Sequence, residues 1–255
     1  MDLKANAAAV ALLRKGAWFG SLPPDLQATI LQRGVVRSYR KGQVVIQEGE
    51  SPKGLFAVLE GAVRGLCQVG DADEVLIHVG EAGLWFGVYG LLSGAPSIGS
   101  VIADAASRVL MLPIAEFGRI VEEEPRYYRH FAALALQHYA LLYRYVAEGH
   151  GLPREELLCR RLVDLAEFRR RDNPTEGPVS LTVSQADLAT MIGVARQTVN
   201  VILTRLEAHG LIEVGFRTIR ILDEERLRKG CRTAPLVTDA AQRASASPRP
   251  AVTKA

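Results

Sequence analysis

The residues best suited to chemistry lie between Gln185 and Arg205, in the run QADLATMIGVARQTVNVILTR. Arg196, Gln197 and Asn200 are the side-chain types that read base edges, arginine bidentate to guanine and glutamine or asparagine to adenine. Thr198 adds a hydroxyl suited to a backbone phosphate. A helix from Arg196 to about His209 would bury Val199, Ile202, Leu203 and Leu206 and leave these four on its outer, N-terminal face. Arg205, Arg217 and Arg220 lie close by in sequence as candidate phosphate contacts. An ordinary three-helix core with a solvated polar face is the competing account.

Such residues read DNA only if a scaffold presents them. Ser184 can cap a preceding helix, with Asp187 three residues on as a carboxylate variant of the capping box. Ala189 is small, Gly193 follows four residues later, and Val199 six after that. This is helix-turn-helix spacing: close helix approach, a turn with positive φ, and a β-branched anchor. Leu211–Val214, a turn at Gly215, and Thr218–Leu222 then predict a hairpin, the wing beside the second helix.

The remainder divides into stretches of different period. Residues 1 to about 34 look helical, with a turn at Gly20–Pro24. From Val35 to Pro113 short β runs alternate with glycine-rich turns: Val44–Gln47, Leu55–Leu59, Ala62–Val69, Glu74–Val79, Gly99–Ala103 and Arg108–Leu112. Evenly spaced short strands predict an antiparallel barrel or roll. Pro125 suits a first helical turn, and a long helix follows it. Its stripe Tyr128, Phe131, Leu134, His138, Leu142 and Tyr145 is wide enough to pack on its own domain and on a twin helix. Gly149–Pro153 then breaks the pattern as a hinge, and residues 229–255, poor in large apolar side chains, are expected to be disordered.

Composition narrows the class without naming a partner. The chain has 255 residues, 48% hydrophobic and 23% charged, which suits a globular protein of one or two domains. A net charge of +3 does not by itself announce nucleic acid. The apolar Ala7–Leu13 is short and runs directly into Arg14 and Lys15, a poor signal peptide. No apolar run approaches the roughly 20 residues that span a bilayer, so a cytoplasmic protein without membrane partners is expected. Cys67, Cys159 and Cys231 are far apart, which disfavours a disulfide framework or a zinc site. There is no Walker loop, nucleophile elbow or H-E-x-x-H, and no catalytic or metal residues are assigned. The acidic run Glu122–Glu124 before Pro125 is better explained by a helix dipole than by acid–base chemistry.

In this order, a glycine-rich roll, a long helix, a hinge and a winged helix-turn-helix resemble the CRP/FNR transcription regulators. The resemblance covers about residues 12–228. It is carried by Arg40-Lys-Gly42, Gly49-Glu50, Leu55-Phe-Ala-Val58, Gly61-Ala-Val-Arg64, Phe86-Gly87 and Leu91-Leu-Ser-Gly94. Gly193-Val-Ala-Arg-Gln-Thr-Val199 and Leu206-Glu-Ala-His-Gly-Leu-Ile212 match as well. It implies an α+β fold, with an antiparallel jelly-roll-like effector domain and its N-terminal helices at 1–124. A dimerisation helix and hinge follow at 125–150, and a DNA-binding domain at 151–228. It also implies a homodimer with two recognition helices about 34 Å apart on a near-palindromic double-stranded site, and contact with RNA polymerase. Arg196 then resembles the guanine-reading arginine. Gln197 replaces the usual Glu, Val201 stands where a second base-reading Arg is common, and Ala195 where Ser is frequent.

The effector cassette departs from the family pattern. Members that bind cyclic AMP carry F-G-E-x-x-L-L…P-R-S/T, whose Glu takes the ribose hydroxyl and whose Arg and Ser hold the phosphate. Here Trp85, Phe86, Gly87, Val88 and Tyr89 are followed by Ser97 and Ile98, with Val88 for Glu, Ser97 for Arg and Ile98 for Ser. A charge-assisted phosphate contact contributes about 1.5–3 kcal/mol, so cyclic AMP is not expected as a ligand. The aromatic cassette suits an apolar effector instead, or none. An iron–sulfur sensor lacks its N-terminal cysteines. Cys67 and His78 on neighbouring strands, and His130 and His138 on the long helix, fit packing better than haem ligation. Two alternatives stay open: a haem or other small-molecule sensor of the same fold, and a module whose winged helix contacts a protein.

Overall fold

The computed structural model describes residues 7–70, 73–172 and 177–229. The expectation of a disordered tail therefore falls, from residue 230 on, outside the described residues. Three helices open the chain: α1 (Ala7–Lys15), α2 (Ala17–Gly20) and α3 (Pro24–Arg33). Pro24 stands in the first turn of α3, where its missing N–H removes no hydrogen bond.

Two four-stranded antiparallel sheets follow. One has the order β1-β8-β3-β6, from β1 (Val35–Tyr39), β8 (Ser107–Pro113), β3 (Gly54–Glu60) and β6 (Trp85–Phe86). The other has the order β2-β7-β4-β5, from β2 (Val44–Ile46), β7 (Ser100–Ala103), β4 (Ala62–Val69) and β5 (Asp73–Glu81). Strands β3 and β8 read as continuous apolar runs because both of their faces are covered. Leu55, Ala57, Leu110 and Leu112 turn to the helices, joining Leu13, Phe19, Leu26 and Ile30. Phe56, Val58, Val109 and Met111 turn between the sheets with Val63 and Phe86. This is the period of two at work, and each such side chain contributes about 1.5–3 kcal/mol when fully buried.

Between β6 and β7 the short helix α4 (Val88–Ser93) packs on the helical side, and α5 (Ile114–Glu123) follows β8. A 3-10 turn at Pro125–Tyr127 leads into the 24-residue helix α6 (Tyr128–Gly151). No helix among the described residues is long and apolar enough to cross a membrane. The expected hinge is narrower than its glycines suggested. Helix α6 runs through Gly149 and Gly151, the Leu152 N–H still donates to the Glu148 carbonyl, and α7 (Arg154–Asp172) starts after Pro153.

The C-terminal unit comprises α7, β9 (Val179–Thr182), α8 (Gln185–Ile192), α9 (Arg196–Ala208), the hairpin β10 (Ile212–Gly215) and β11 (Thr218–Ile221), and α10 (Glu224–Arg228). Strand β9 completes a three-stranded sheet of order β10-β11-β9. The wing turn lies at Phe216-Arg217 rather than at Gly215, because Gly215 pairs with Thr218 in the ladder and Arg217 takes the positive φ of 53°.

Candidate nucleic-acid interface and adjoining cavity

The start of α8 is fixed by a full capping box. The Ser184 hydroxyl accepts from the Asp187 N–H at 3.1 Å, and the Asp187 carboxylate accepts from the Ser184 N–H at 3.0 Å. Gly193 ends the helix with φ 65°, a conformation that carries no steric penalty without a Cβ. Ala195 then caps α9 with no side-chain bond. Val199, Ile202, Leu203 and Leu206 are buried against Leu158, Leu162 and Leu188.

That anchoring leaves Arg196, Gln197, Thr198, Asn200 and Val201 exposed together at the N-terminal half of α9. Asn200 Nδ2 donates to Gln185 Oε1 at 3.3 Å, so Gln185 of α8 adjoins the same surface, a contact the sequence did not suggest. Arg205, further along the helix, faces Glu155 at 3.7 Å. Arg220 of β11 faces its cross-strand neighbour Glu213 at 3.3 Å. At the wing tip Phe216 is 93% exposed, also unforeseen.

Arg217 turns toward the roll while its side chain stays partly exposed. It reaches Asp104 of the roll at 3.6 Å, within a set of polar contacts between the two units. Arg64 of β4 pairs with Asp187 and stands 3.8 Å from Asp104. Burial raises the Asp187 carboxyl, but the Ser184 bonds and the Arg64 charge outweigh it and hold the group below its usual range. Arg169 of α7 donates to Glu81 at 2.7 Å, and Thr182 to the same carboxylate at 3.2 Å. None of these pairs is adjacent in sequence, and Arg64 stood out there only as the last residue of Gly61-Ala-Val-Arg64.

Behind the hinge a buried network ties α6 to α7. Arg161 Nη1 donates to Glu148 and Asp164, each at 2.8 Å, and Arg144 donates to Asp164 at 2.7 Å. The Arg161 guanidinium lies over the Tyr145 ring, 3.7 Å from its centroid.

The roll encloses a half-open cavity of about 420 Å³, closed on one side by His138 and Leu142 of α6. Of the cassette residues, Phe86, Gly87, Tyr89, Ser97 and Ile98 line it. Trp85 and Val88 do not: they are buried on the helical side, because β6 alternates and α4 turns Val88 and Leu91 toward that core. Cys67 and His78 both line the cavity. Among the described residues no group of three or more His, Cys, Asp or Glu side chains gathers as a metal site.

The long helix divides its apolar residues differently from the stripe drawn on the sequence. Phe131 and Leu134 are buried in the protomer's own core, and Tyr145 packs on Arg161. Tyr128 and Leu142 are exposed, and the face left open is made of Leu136, Tyr139, Leu142, Tyr143 and Val146.

Comparison with known proteins agrees with this layout. The cyclic nucleotide-binding domain family matches residues 36–124, and the Crp-like helix-turn-helix domain family matches residues 157–229. The chain is 29% identical over 198 residues to the nitrogen fixation regulation protein FixK of Bradyrhizobium diazoefficiens, covering 74% of this chain and 78% of that protein. It is 26% identical over 194 residues to the transcriptional regulator SdrP of Thermus thermophilus, covering 75% and 92%. Among solved structures, FixK2 of Bradyrhizobium japonicum superposes with a TM-score of 0.69 at 21% identity, over 79% of this chain and 99% of that one. With a cyclic nucleotide-binding fold, a long helix and a Crp-like winged helix in one chain, the protein belongs to the CRP/FNR family of DNA-binding transcription regulators and is not an enzyme.

Proposed function

We propose that the protein is a cytoplasmic homodimer that recognises a near-palindromic operator and contacts RNA polymerase when bound there. Residues 1–124 form its effector unit, 125–150 its dimerisation helix and hinge, and 151–228 its DNA-binding unit. The exposed apolar face of α6, from Leu136 to Val146, meets the same face of a second copy. Arg196 reads guanine, while Gln197, Thr198 and Asn200 make the remaining groove contacts. Arg205, Arg217 and Arg220 bind phosphates. Val201 offers only an apolar contact, such as to a thymine methyl, so the operator differs from one read by two arginines.

The observation that carries this reading is the shared exposure of Arg196, Gln197, Thr198 and Asn200 on a helix whose opposite face is locked into the core. Arg196→Ala is expected to weaken binding to an operator selected from random duplexes by about 1–3 kcal/mol, and to relax the preference at one position of each half-site. Equal affinity would show that α9 does not read bases. Cyclic AMP is not the effector. Ser97 at the phosphate position donates its hydroxyl to the Gly99 carbonyl at 2.8 Å, and Val88 at the ribose position is buried away from the cavity. Calorimetric titration with cyclic AMP should give no heat, and a micromolar isotherm would overturn this.

A further inference from the structure

The roll cavity has a size typical of small-molecule sites, and its walls are apolar. Phe56 and Phe86 stack at 5.3 Å on one side, with Ile98, Val101 and Leu142 around them. The lining's one carboxylate, Glu50, and one ammonium, Lys53, pair with each other at 2.7 Å. Ser97 donates to its own loop, and the Ser100 hydroxyl accepts from the Glu48 N–H at 3.0 Å. Arg64, beside the lining residue Gly65, is directed to Asp104 and Asp187 on the opposite face of β4. An anion entering this space would lose hydration and find Lys53 already paired with Glu50 and Arg64 already directed to Asp104 and Asp187.

We propose that the cavity takes an uncharged, largely apolar small molecule, and that its occupancy reaches the DNA-binding unit through His78. This rests on the reading that the roll is the effector unit. His78 lines the cavity, and its ring also meets Phe168 of α7 edge-on, with centroids 4.7 Å apart. Phe168 is buried against β5, and the next residue, Arg169, holds Glu81 at the end of that strand. A ligand pressing on the cavity side of His78 thus acts on the contact that seats α7. By linkage, the seating of α7 must alter ligand affinity by the same factor.

The test uses the full chain and N-phenyl-1-naphthylamine, a neutral apolar fluorophore small enough for the space. Saturable binding of one probe per protomer is expected. Gly65→Phe should weaken it at least tenfold. Gly65 shares the inner face of β4 with Val63, and the nearest atoms to an added Cβ, those of His78, lie at 3.8–3.9 Å, so the ring enters the cavity. Ile77→Arg, at an exposed strand position that also lines the space, should weaken it similarly should Gly65→Phe fail to fold. No saturable binding, or binding unchanged in the folded variants, overturns the site.

For the relay, backbone hydrogen exchange is read along α7 with and without probe. A change of at least threefold is expected in the wild type and none in Phe168→Leu, whose probe affinity should shift by no more than that same coupling factor. An α7 that does not respond in the wild type overturns the relay. Operator binding measured without probe tests the regulator reading separately: a protein that binds probe but no DNA refutes that reading and leaves the cavity standing.

Discussion

Arg217 is proposed as a phosphate contact, yet here it faces Asp104 of the roll, so the wing must let go of the roll before it grips DNA. Asp104→Asn weakens that contact together with the longer Arg64–Asp104 pair, and an Arg217→Ala background separates the two. Two unit charges about 4 Å apart attract by roughly 4 kcal/mol at an effective dielectric constant of 20. Arg217 is 39% exposed on its side chain and makes no hydrogen bond to Asp104 at 3.6 Å, so hydration and screening reduce the net value to about 0.3–1 kcal/mol. Removing the competitor should tighten operator binding by about two- to fivefold. One more arginine would also be free to displace counterions, so log K against log salt should steepen by about 0.9.

Fluorescence anisotropy on a selected operator at four or five salt concentrations gives both quantities. Two controls separate contact from bulk charge. Glu122→Gln, an exposed acid on α5, makes the same change in net charge far from the wing. Asp104→Asn placed on Arg217→Ala should lose the part of its effect that runs through Arg217 and keep only what the Arg64–Asp104 pair contributes beyond that control. If Asp104→Asn matches Glu122→Gln, or keeps its full effect without Arg217, the roll does not restrain the wing through this pair and the reasoning fails.

Other outcomes are expected at sites of different physics. Burial pushes the Asp164 carboxyl up to about 6, against the pull of Arg144 and Arg161. The folded chain therefore binds this proton more tightly than the unfolded chain, and its contribution to stability falls as pH rises from about 4 to about 6, by about 3 kcal/mol in all. Urea melts of Asp164→Asn should lack that slope, and an identical pH profile would contradict it. Leu203→Ala removes a fully buried side chain from beneath the recognition helix and should cost about 2–5 kcal/mol in the same assay. Tyr143→Asp, on the open face of α6, should shift sedimentation from dimer to monomer while leaving the fold's circular dichroism unchanged. A dimer that persists would place the interface elsewhere.

Elements that carry their own periodicity were legible in the sequence. Ala62–Val69 was expected as a strand and is β4 to the residue, and the expected start of the second helix at Arg196 is the start of α9. Elements defined by a partner were not. Strand β6 is two residues long and exists because β3 pairs with it. Strand β1 has only half-buried or exposed positions, since it forms a sheet edge, so its alternation is faint. Strand β9 depends on β11 in the same way.

The candidate site divides along the same line. Arg196, Gln197 and Asn200 could be placed from local spacing, because a helix fixes its own faces. Val88 could not: its cassette position suggested the cavity, and only the turn from β6 into α4 sends it to the opposite core. Arg217 was legible as a wing residue but not as the partner of Asp104, 113 positions away in the chain. The net charge of +3 shows why placement outweighs totals. Residues 152–230 carry 13 basic and 12 acidic side chains, so the DNA-binding unit is nearly neutral. Its acids Glu155, Glu213 and Asp187 face Arg205, Arg220 and the roll's Arg64, which leaves Arg196 as the cation at the tip of α9. A duplex approaching that tip meets positive charge first at the residue proposed to read it. The arginines proposed to bind phosphate would each first exchange a carboxylate for the DNA backbone, and through the Arg217–Asp104 pair that exchange would tie affinity to how the roll holds the wing.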